Sequence, residues 1–285
     1  MTLKRELSKL GFYLVDDNIR GYKILNSNGE SVTDYNFKRI YEDFETYNIF
    51  KVDDDMAEKI GELIYEWNKR KTMVRILENK VELVKENLSY DEVLSKIEQA
   101  TRLCYRSKRS ETREGREKFL KNLMAVGHGS IIEHGSLSFL VTTDRACANQ
   151  IVRHRIASYS QESSRYVDLS DLEIVLDHSY GEEDKGFIEF NCEYLADVYK
   201  ELGGDKKSTR DKARAILPQC TATRLYMTMN FREIRHFLKL RLDKSAHQSI
   251  REIAYQILKI MKVEYPVFVF DFDLADYENI YNQKA

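Results

Sequence analysis

"RHRIASYSQESSRY", Arg153–Tyr166, sets two arginines and a histidine side by side, follows them with Ser158, Ser160, Ser163 and Ser164, and returns to a third arginine at Arg165. An arginine presents a planar fork of donors and a serine a short hydroxyl, the pieces from which phosphate sites are built. Tyr159 and Tyr166 add flat faces on which another ring can stack. "RHR" reads as the end of a helix and "IASYSQESSRY" as a Ser-rich loop. Arg153 and Arg155 cannot face the same way on a continuing helix, so the segment suits two anions or one extended anion. An isolated RHR reads more simply as a solvated helix end; here the hydroxyl-rich neighbourhood points to a ligand.

The rest of the chain leaves that anion to be gripped locally. Over 285 residues the net charge is −2, too close to zero for a global attraction to nucleic acid or to an anionic membrane. Hydrophobic residues make up 42%, enough for a sizeable core, and 18 Tyr and 13 Phe argue against disorder. The length suits one large domain or two unequal ones. Cys104, Cys147, Cys192 and Cys220 form no CxxC pair, so no metal site is expected. The start "MTLKRELSKLG" lacks the apolar run of a signal peptide, and no stretch approaches the roughly 20 apolar residues that span a bilayer. A cytoplasmic protein with reduced thiols is the expectation.

Hydrophobic period and punctuation give the elements. Residues 1–72 read as a small α+β extension: two short strand-like runs in "GFYLVDDNIRGYKIL", a turn at "NSNGE", a helix over "DDDMAEKIGELIYEWNKRK", and a polar exit at "NKRKT". From there to 285 the pattern is that of a separate mixed α/β domain. "LSYDEVLSKIEQATRLCYRS" predicts a helix capped by Ser89, with Val93, Ile97 and Ala100 to Leu103 on one face. "REGREKFLKNLMAVGHG" predicts a second helix, ended by Gly127. "SLSFLVTT" alternates Leu137, Phe139 and Val141 and predicts a strand. "DRACANQIVRHR" predicts a helix capped by Asp144, on which Gln150, Arg153 and His154 share a face. "NFREIRHFLKLRL" begins with Asn230 and places Glu233 three residues on, a capping-box spacing. "KSAHQSIREIAYQILKIMKVEYP" is the plainest helix, with apolar residues from Ile250 to Met261 at spacings of three and one, and Pro266 beyond its end.

The opening segment resembles the signature of flavin-dependent thymidylate synthases: an Arg-His-Arg followed at fixed spacing by Ser and then Arg-Tyr. Three further blocks resemble that family in the same order. "GHGSIIEH" (127–134) matches its upstream His-Gly-His block, with Val126 in place of the first His. "ARAILPQC" (213–220) matches an Ala-Arg-x-x-Leu-Pro block, and "NFREIRHFLKLR" (230–241) an Asn-x-Arg-x-x-x-(Asn/His)-Phe-x-x-x-Arg block. The resemblance covers roughly residues 76 to 270. It implies an α/β (α+β) catalytic domain over 73–285, a mixed sheet flanked by long helices like that of the thymidylate synthase complementing proteins. It implies conversion of dUMP to dTMP with methylenetetrahydrofolate as carbon donor and NADPH as reductant through FAD. It also implies a homotetramer whose active sites are shared between subunits.

Residue by residue, the resemblance implies that Gln150, Arg153, Ser163, Arg165, Arg214 and Arg241 bind dUMP, Ser163 and Arg165 reaching its phosphate from a neighbouring subunit. Arg241 is the residue implied to hold the pyrimidine and favour loss of its N3 proton, because a guanidinium beside a developing anion lowers its pKa. Ser130, Arg153, His154, Arg155, Asn230, Arg232 and His236 are implied FAD contacts, and His128 lies near flavin and folate. Gln161 falls where the family often carries Glu and touches both dUMP and FAD; Glu162 is the alternative carboxylate. Cys220 in "LPQC" does not match the Pro-Cys-His order of the folate-only synthases and reads as a small buried cysteine.

Two departures keep a second reaction open. Ser160-Gln161 stands where the family often has Asn-Glu, and His247 and Ser249 stand in for Gln and Glu. A flavin-dependent hydroxymethylation of dUMP would need the same cradle. Outside that class, a nucleic-acid-binding module could use "KRSETREGREK" and "RHR" as phosphate contacts, or the chain could be a catalytically silent structural paralogue; near-zero net charge and the absence of a nucleic-acid-binding motif disfavour the former.

Overall fold

Strict alternation over nine residues, Ser136–Asp144, builds the strand around which the rest packs. In this computed structural model, which describes residues 13–16, 22–25, 74–84 and 88–281, that strand is β5. Before it come β1 (Tyr13–Asp16), β2 (Tyr22–Leu25), β3 (Arg75–Leu77) and β4 (Lys80–Leu83). After it come β6 (Ala157–Gln161), β7 (Glu173–Val175) and β8 (Ala222–Asn230). A four-stranded antiparallel sheet has the order β4-β5-β8-β6. Parallel pairing among the described residues is confined to β3 and β7, and β1 pairs antiparallel with β2.

Register puts the apolar residues of β5 and β8 opposite one another: Leu137 with Met229, Phe139 with Met227, Val141 with Leu225. All six are buried. Each contributes on the order of 2 kcal/mol by leaving water. Their neighbours Leu140 and Tyr226 pair on the opposite, more exposed face.

The helices follow from their caps. α1 (Tyr90–Tyr105) starts with a capping box between Ser89 and Glu92. α2 (Arg113–Ala125) is capped by Thr112, and the chain turns out of it at Gly127, whose φ of 88° favours glycine. α3 (Arg145–Ile151) is capped by Asp144, the last residue of β5. α4 (Glu182–Glu201) and the one-turn α5 (Arg210–Ala213) follow. α6 (Phe231–Arg241) is capped by Asn230, the last residue of β8. α7 (Gln248–Glu264) buries Ile250, Ile253, Ala254, Ile257, Leu258 and Met261, the face its spacing predicts. The Gln256 side chain bonds the Asn79 carbonyl (2.7 Å) and the Val81 N–H (2.9 Å), fastening α7 to β4.

Chain contacts divide the protein into two units. One comprises Arg75–Val167, Leu172–Glu189 and the described residues from Pro218 on; it holds the four-stranded sheet. The other takes in the described residues up to Val74, Asp168–Asp171 and Phe190–Leu217. The helix and turn expected between residues 26 and 71 lie outside the described residues. No helix among the described residues is long and apolar enough to cross a membrane.

Three local expectations change. The helix after Asp144 ends at Ile151, so Arg153 and His154 sit in the turn beyond it rather than on the helix face with Gln150. The Tyr159 hydroxyl reaches the carbonyls of Ile151 (3.0 Å) and His154 (2.9 Å), and this stabilises the early exit. Residues 157–161 form an edge strand, not a loop. Ala157 and Tyr159 pack against the core and Ser158 and Ser160 point out, an alternation that their hydroxyls disguise. On α1, Leu94 is buried and Leu103 exposed.

Gly135 marks a close approach inside the core. A Cβ there would sit 2.6 Å from Phe231 Cε2 and 3.0 Å from Ile97 Cδ1, and Phe231 is itself stacked on Phe268 at 3.9 Å. Gly135→Ala should therefore cost about 1–3 kcal/mol by overpacking, read as a lowered midpoint in urea unfolding.

Candidate active site

The end of α3 and the end of α6 meet at one buried histidine. His154 and Glu233 have side chains only 3% and 6% exposed. The Glu233 carboxylate lies 2.9 Å from His154 Nδ1, and Arg241 Nε lies 3.0 Å from His154 Nε2. A guanidinium only donates, so Nε2 must be the acceptor, and the neutral ring carries its proton on Nδ1 and donates it to Glu233. Arg241 also approaches the Gln150 carbonyl, at 3.4 Å. The ring packs on Phe237, with centroids 4.8 Å apart, and lies near His236 at 5.8 Å.

Burial lowers the His154 pKa from its ordinary 6.5, and the Arg241 charge adds to this, against the raising effect of Glu233. The imidazole is thus kept neutral, as its contact with Arg241 requires. Burial likewise pushes the Tyr159 phenol up, so it keeps the one proton that it shares between the two carbonyls it meets.

Glu233 was expected to complete a capping box. Half of the box forms: the Asn230 side chain accepts from Glu233 N at 2.8 Å. The carboxylate goes instead to His154. His154, Glu233 and His236 are also the one group of potential metal ligands found together among the described residues. Both His154 nitrogens are already engaged, one by a cation, so this trio is a poor metal site.

Beside this chain of contacts is a pocket of about 260 Å³, with Gly127 and Gly129 on one side and Arg232, Arg235, His236 and Lys239 on the other. His128 and Ser130 are exposed on the same turn, which continues as a 3₁₀ helix over Gly129–His134. Arg232 lies against Gly129, 3.3 Å from where a Cβ would stand, and pairs with Glu133. Sequence reading missed Arg235 and Lys239, although the 3,1,3 spacing of 232, 235, 236 and 239 marks one helix face. Arg235 is largely committed: it forms a two-pronged bond with Asp271, at 2.6 and 2.7 Å.

The other expected site residues distribute as follows. Arg153, Arg155 and Arg165 are exposed on the 153–166 segment. The Ser163 hydroxyl accepts from Arg165 N, and its carbonyl from Tyr166 N. Gln161 is exposed and donates to Thr223 Oγ1 at 3.2 Å. Glu162, the alternative carboxylate, accepts from Arg224 N at 3.0 Å and pairs with the same guanidinium. Arg214 belongs to the other unit, where it pairs with Asp211 at 2.9 Å. Of the two departures on α7, Ser249 is buried and donates to Asp177 at 2.9 Å, while His247 is exposed at the N-cap. Cys220 is half-buried rather than buried. In "KRSETREGREK", Arg109 and Arg116 flank the buried Glu98 carboxylate and Arg113 pairs with Asp91.

Residues 82–267 match the family model of the thymidylate synthase complementing proteins. The chain belongs to that family. Among curated relatives, the flavin-dependent thymidylate synthase of Mycobacterium tuberculosis (strain ATCC 25618 / H37Rv) is 33% identical over 203 residues, 63% of this chain and 79% of its own. That of Geobacter sulfurreducens is 37% identical over 185 residues, 60% of this chain and 78% of its own. The UMP/dUMP methylase PolB of Streptomyces cacaoi, solved with 5-Br dUMP, superposes with a TM-score of 0.58 over 68% of this chain and 94% of that one. At 23% identity this shows a shared α+β fold. The family match takes in every expected site residue and leaves 1–72 outside it.

The neutral, buried imidazole has a consequence for stability. An unfolded histidine protonates near its ordinary value of 6.5, while folded His154 resists protonation to lower pH. The unfolded state therefore binds more protons in between, and stability is lost as pH falls. Urea midpoints should drop from about pH 7.5 to about pH 5.5, above the ordinary carboxylate range, and His154→Gln should flatten part of that slope.

Proposed function

We propose that this protein is a flavin-dependent thymidylate synthase, which methylates the C5 carbon of the uracil ring of dUMP to give dTMP. The observation that carries the reading is Arg241: a guanidinium held by a buried histidine, in the position where the family motif puts its pyrimidine-binding arginine. C5 of uracil becomes nucleophilic when negative charge develops across N3, O4 and C5. A fixed cation at the ring stabilises that charge without needing a thiol to add to C6.

The carbon donor in this reading is methylenetetrahydrofolate, and the co-substrate reductant is NADPH. FAD, when bound and reduced, supplies the reducing equivalents that turn the transferred methylene into a methyl group. The residues present fit part of such a cofactor. Arg232 and Lys239 offer charged donors and His236 a ring nitrogen for a diphosphate, and the Gly127–Gly129 turn leaves room for close approach. About 260 Å³ is below the usual range for even a drug-sized ligand. That shortfall supports a site completed by a neighbouring subunit, as in the homotetramer that the family resemblance implies. Arg153, Arg155 and Arg165, exposed in one chain, would then face the anionic groups of dUMP and FAD. In the same reading 73–285 is the catalytic domain, 1–72 an added segment, and the enzyme works in the cytoplasm.

Hydroxymethylation of dUMP is the rival, and product mass separates the two. Incubation with dUMP, methylenetetrahydrofolate, NADPH and FAD should yield dTMP. A product heavier by one oxygen, or no reaction, would overturn the proposal.

Two variants test the route. Arg241→Ala should lose on the order of 3 kcal/mol of transition-state stabilisation, about a hundredfold in rate, while keeping the yellow colour of bound flavin. Cys220→Ala should retain most activity. A dead Cys220→Ala beside an active Arg241→Ala would point to a thiol nucleophile instead.

A further inference from the structure

Glu233 does something that helix capping does not explain. At the third position of α6 its backbone N–H is capped by Asn230, yet its carboxylate turns away from the cap and into the protein, to His154 Nδ1 at 2.9 Å. Burying a carboxylate is costly unless the group is paired, and here the pair is with a ring whose far nitrogen accepts from Arg241 Nε at 3.0 Å. The three side chains form one line: carboxylate, imidazole, guanidinium.

We propose that Glu233 is a positioning residue for Arg241, holding His154 as the Nδ1–H tautomer in a fixed plane so that Nε2 anchors Arg241 Nε and the remaining guanidinium N–H groups are aimed at the pyrimidine. This rests on the reading of Arg241 as the pyrimidine-binding cation. The physical logic is tautomer control. With the proton on Nε2, or on both nitrogens, an N–H would face the Arg241 N–H, and the anchor would become a repulsion. A carboxylate at Nδ1 accepts only from the Nδ1–H form and holds the ring from flipping. His236, the remaining titratable group against the ring, is exposed and at 5.8 Å offers no competing bond to either nitrogen. Phe237 closes one face of the imidazole, so its plane is set by packing as well as by the two bonds.

The test is a double-mutant cycle on the full-length, flavin-loaded enzyme, with Glu233→Leu and Glu233→Gln made alone and in an Arg241→Ala background. Carboxylates that orient a functional histidine are worth about 10–100-fold where they have been removed at metal centres. We expect Glu233→Leu to lower kcat/KM for dUMP about tenfold. Glu233→Gln, whose amide oxygen can still accept from Nδ1–H, should lose markedly less. With Arg241 already gone, neither change should matter beyond about twofold, because effects transmitted through one residue do not add. An undiminished loss in the Arg241→Ala background would overturn the proposal. If Glu233→Leu does not fold, the tautomer measurement on the wild-type ring decides the proposal by itself.

A second readout needs no turnover: ¹⁵N shifts of His154 in labelled wild-type protein. They should show a neutral ring protonated on Nδ1, and an Nε2–H or doubly protonated ring at neutral pH would overturn the proposal. A wild-type enzyme that shows the Nδ1–H ring but makes no dTMP would overturn the pyrimidine as the target of Arg241, while leaving intact the hold of Glu233 on His154.

Discussion

β5 and β8 pair over nine residues without a break, from Ser136 opposite Asn230 to Asp144 opposite Ala222, and each strand ends in the residue that caps the next helix. Because the strands are antiparallel, α3 leaves from one end of the ladder and α6 from the other. α6 is eleven residues long, and its last residue, Arg241, reaches the Gln150 carbonyl near the end of α3. A slip of one residue in this register would turn Leu137, Phe139 and Val141 away from the core. It would also carry Arg241 off His154. The same apolar pairs that stabilise the sheet therefore set the geometry of the site.

The electrostatics of the site are economical in cations. Arg235 is neutralised by Asp271 and Arg232 is matched by Glu133. Arg241 differs, since its partner within the chain is a neutral ring. A guanidinium whose counter-charge lies one residue further away, on Glu233, is oriented without being quenched. A carboxylate paired directly with Arg241 would hold it as firmly and would also compete with any anion that approached.

The family's motif positions and this chain's departures from them fall in different places. Arg241, His154 and Gln150 converge, whereas Ser249 faces inward to Asp177 beneath α7. The network there also includes Glu252, fully buried, which accepts from Asn79 Nδ2 and His178 N at 2.9 Å each. It joins α7 to the segments flanking β3 and β7 and has the character of a structural polar core. Glu162, the carboxylate that could have replaced a family Glu at position 161, is instead drawn back onto Arg224.

Much of this was decided by sequence alone. The alternation of β5, the caps Ser89, Asp144 and Asn230 and the apolar face of α7 are local patterns, fixed by side-chain period and by the donors that a helix start leaves unpaired. The motif blocks identified the family and nominated Arg241. Tertiary structure decided where those patterns stop and what the polar groups do. The exit from α3 at Ile151 is stabilised by the Tyr159 hydroxyl, shared between the Ile151 and His154 carbonyls, and the serines of 157–161 lie in a strand because β8 offers them a partner. Glu233 leaves its capping box because His154, 79 residues earlier, is brought within 2.9 Å. A polar side chain's role depends on the partner that folding delivers, and no local pattern carries that information.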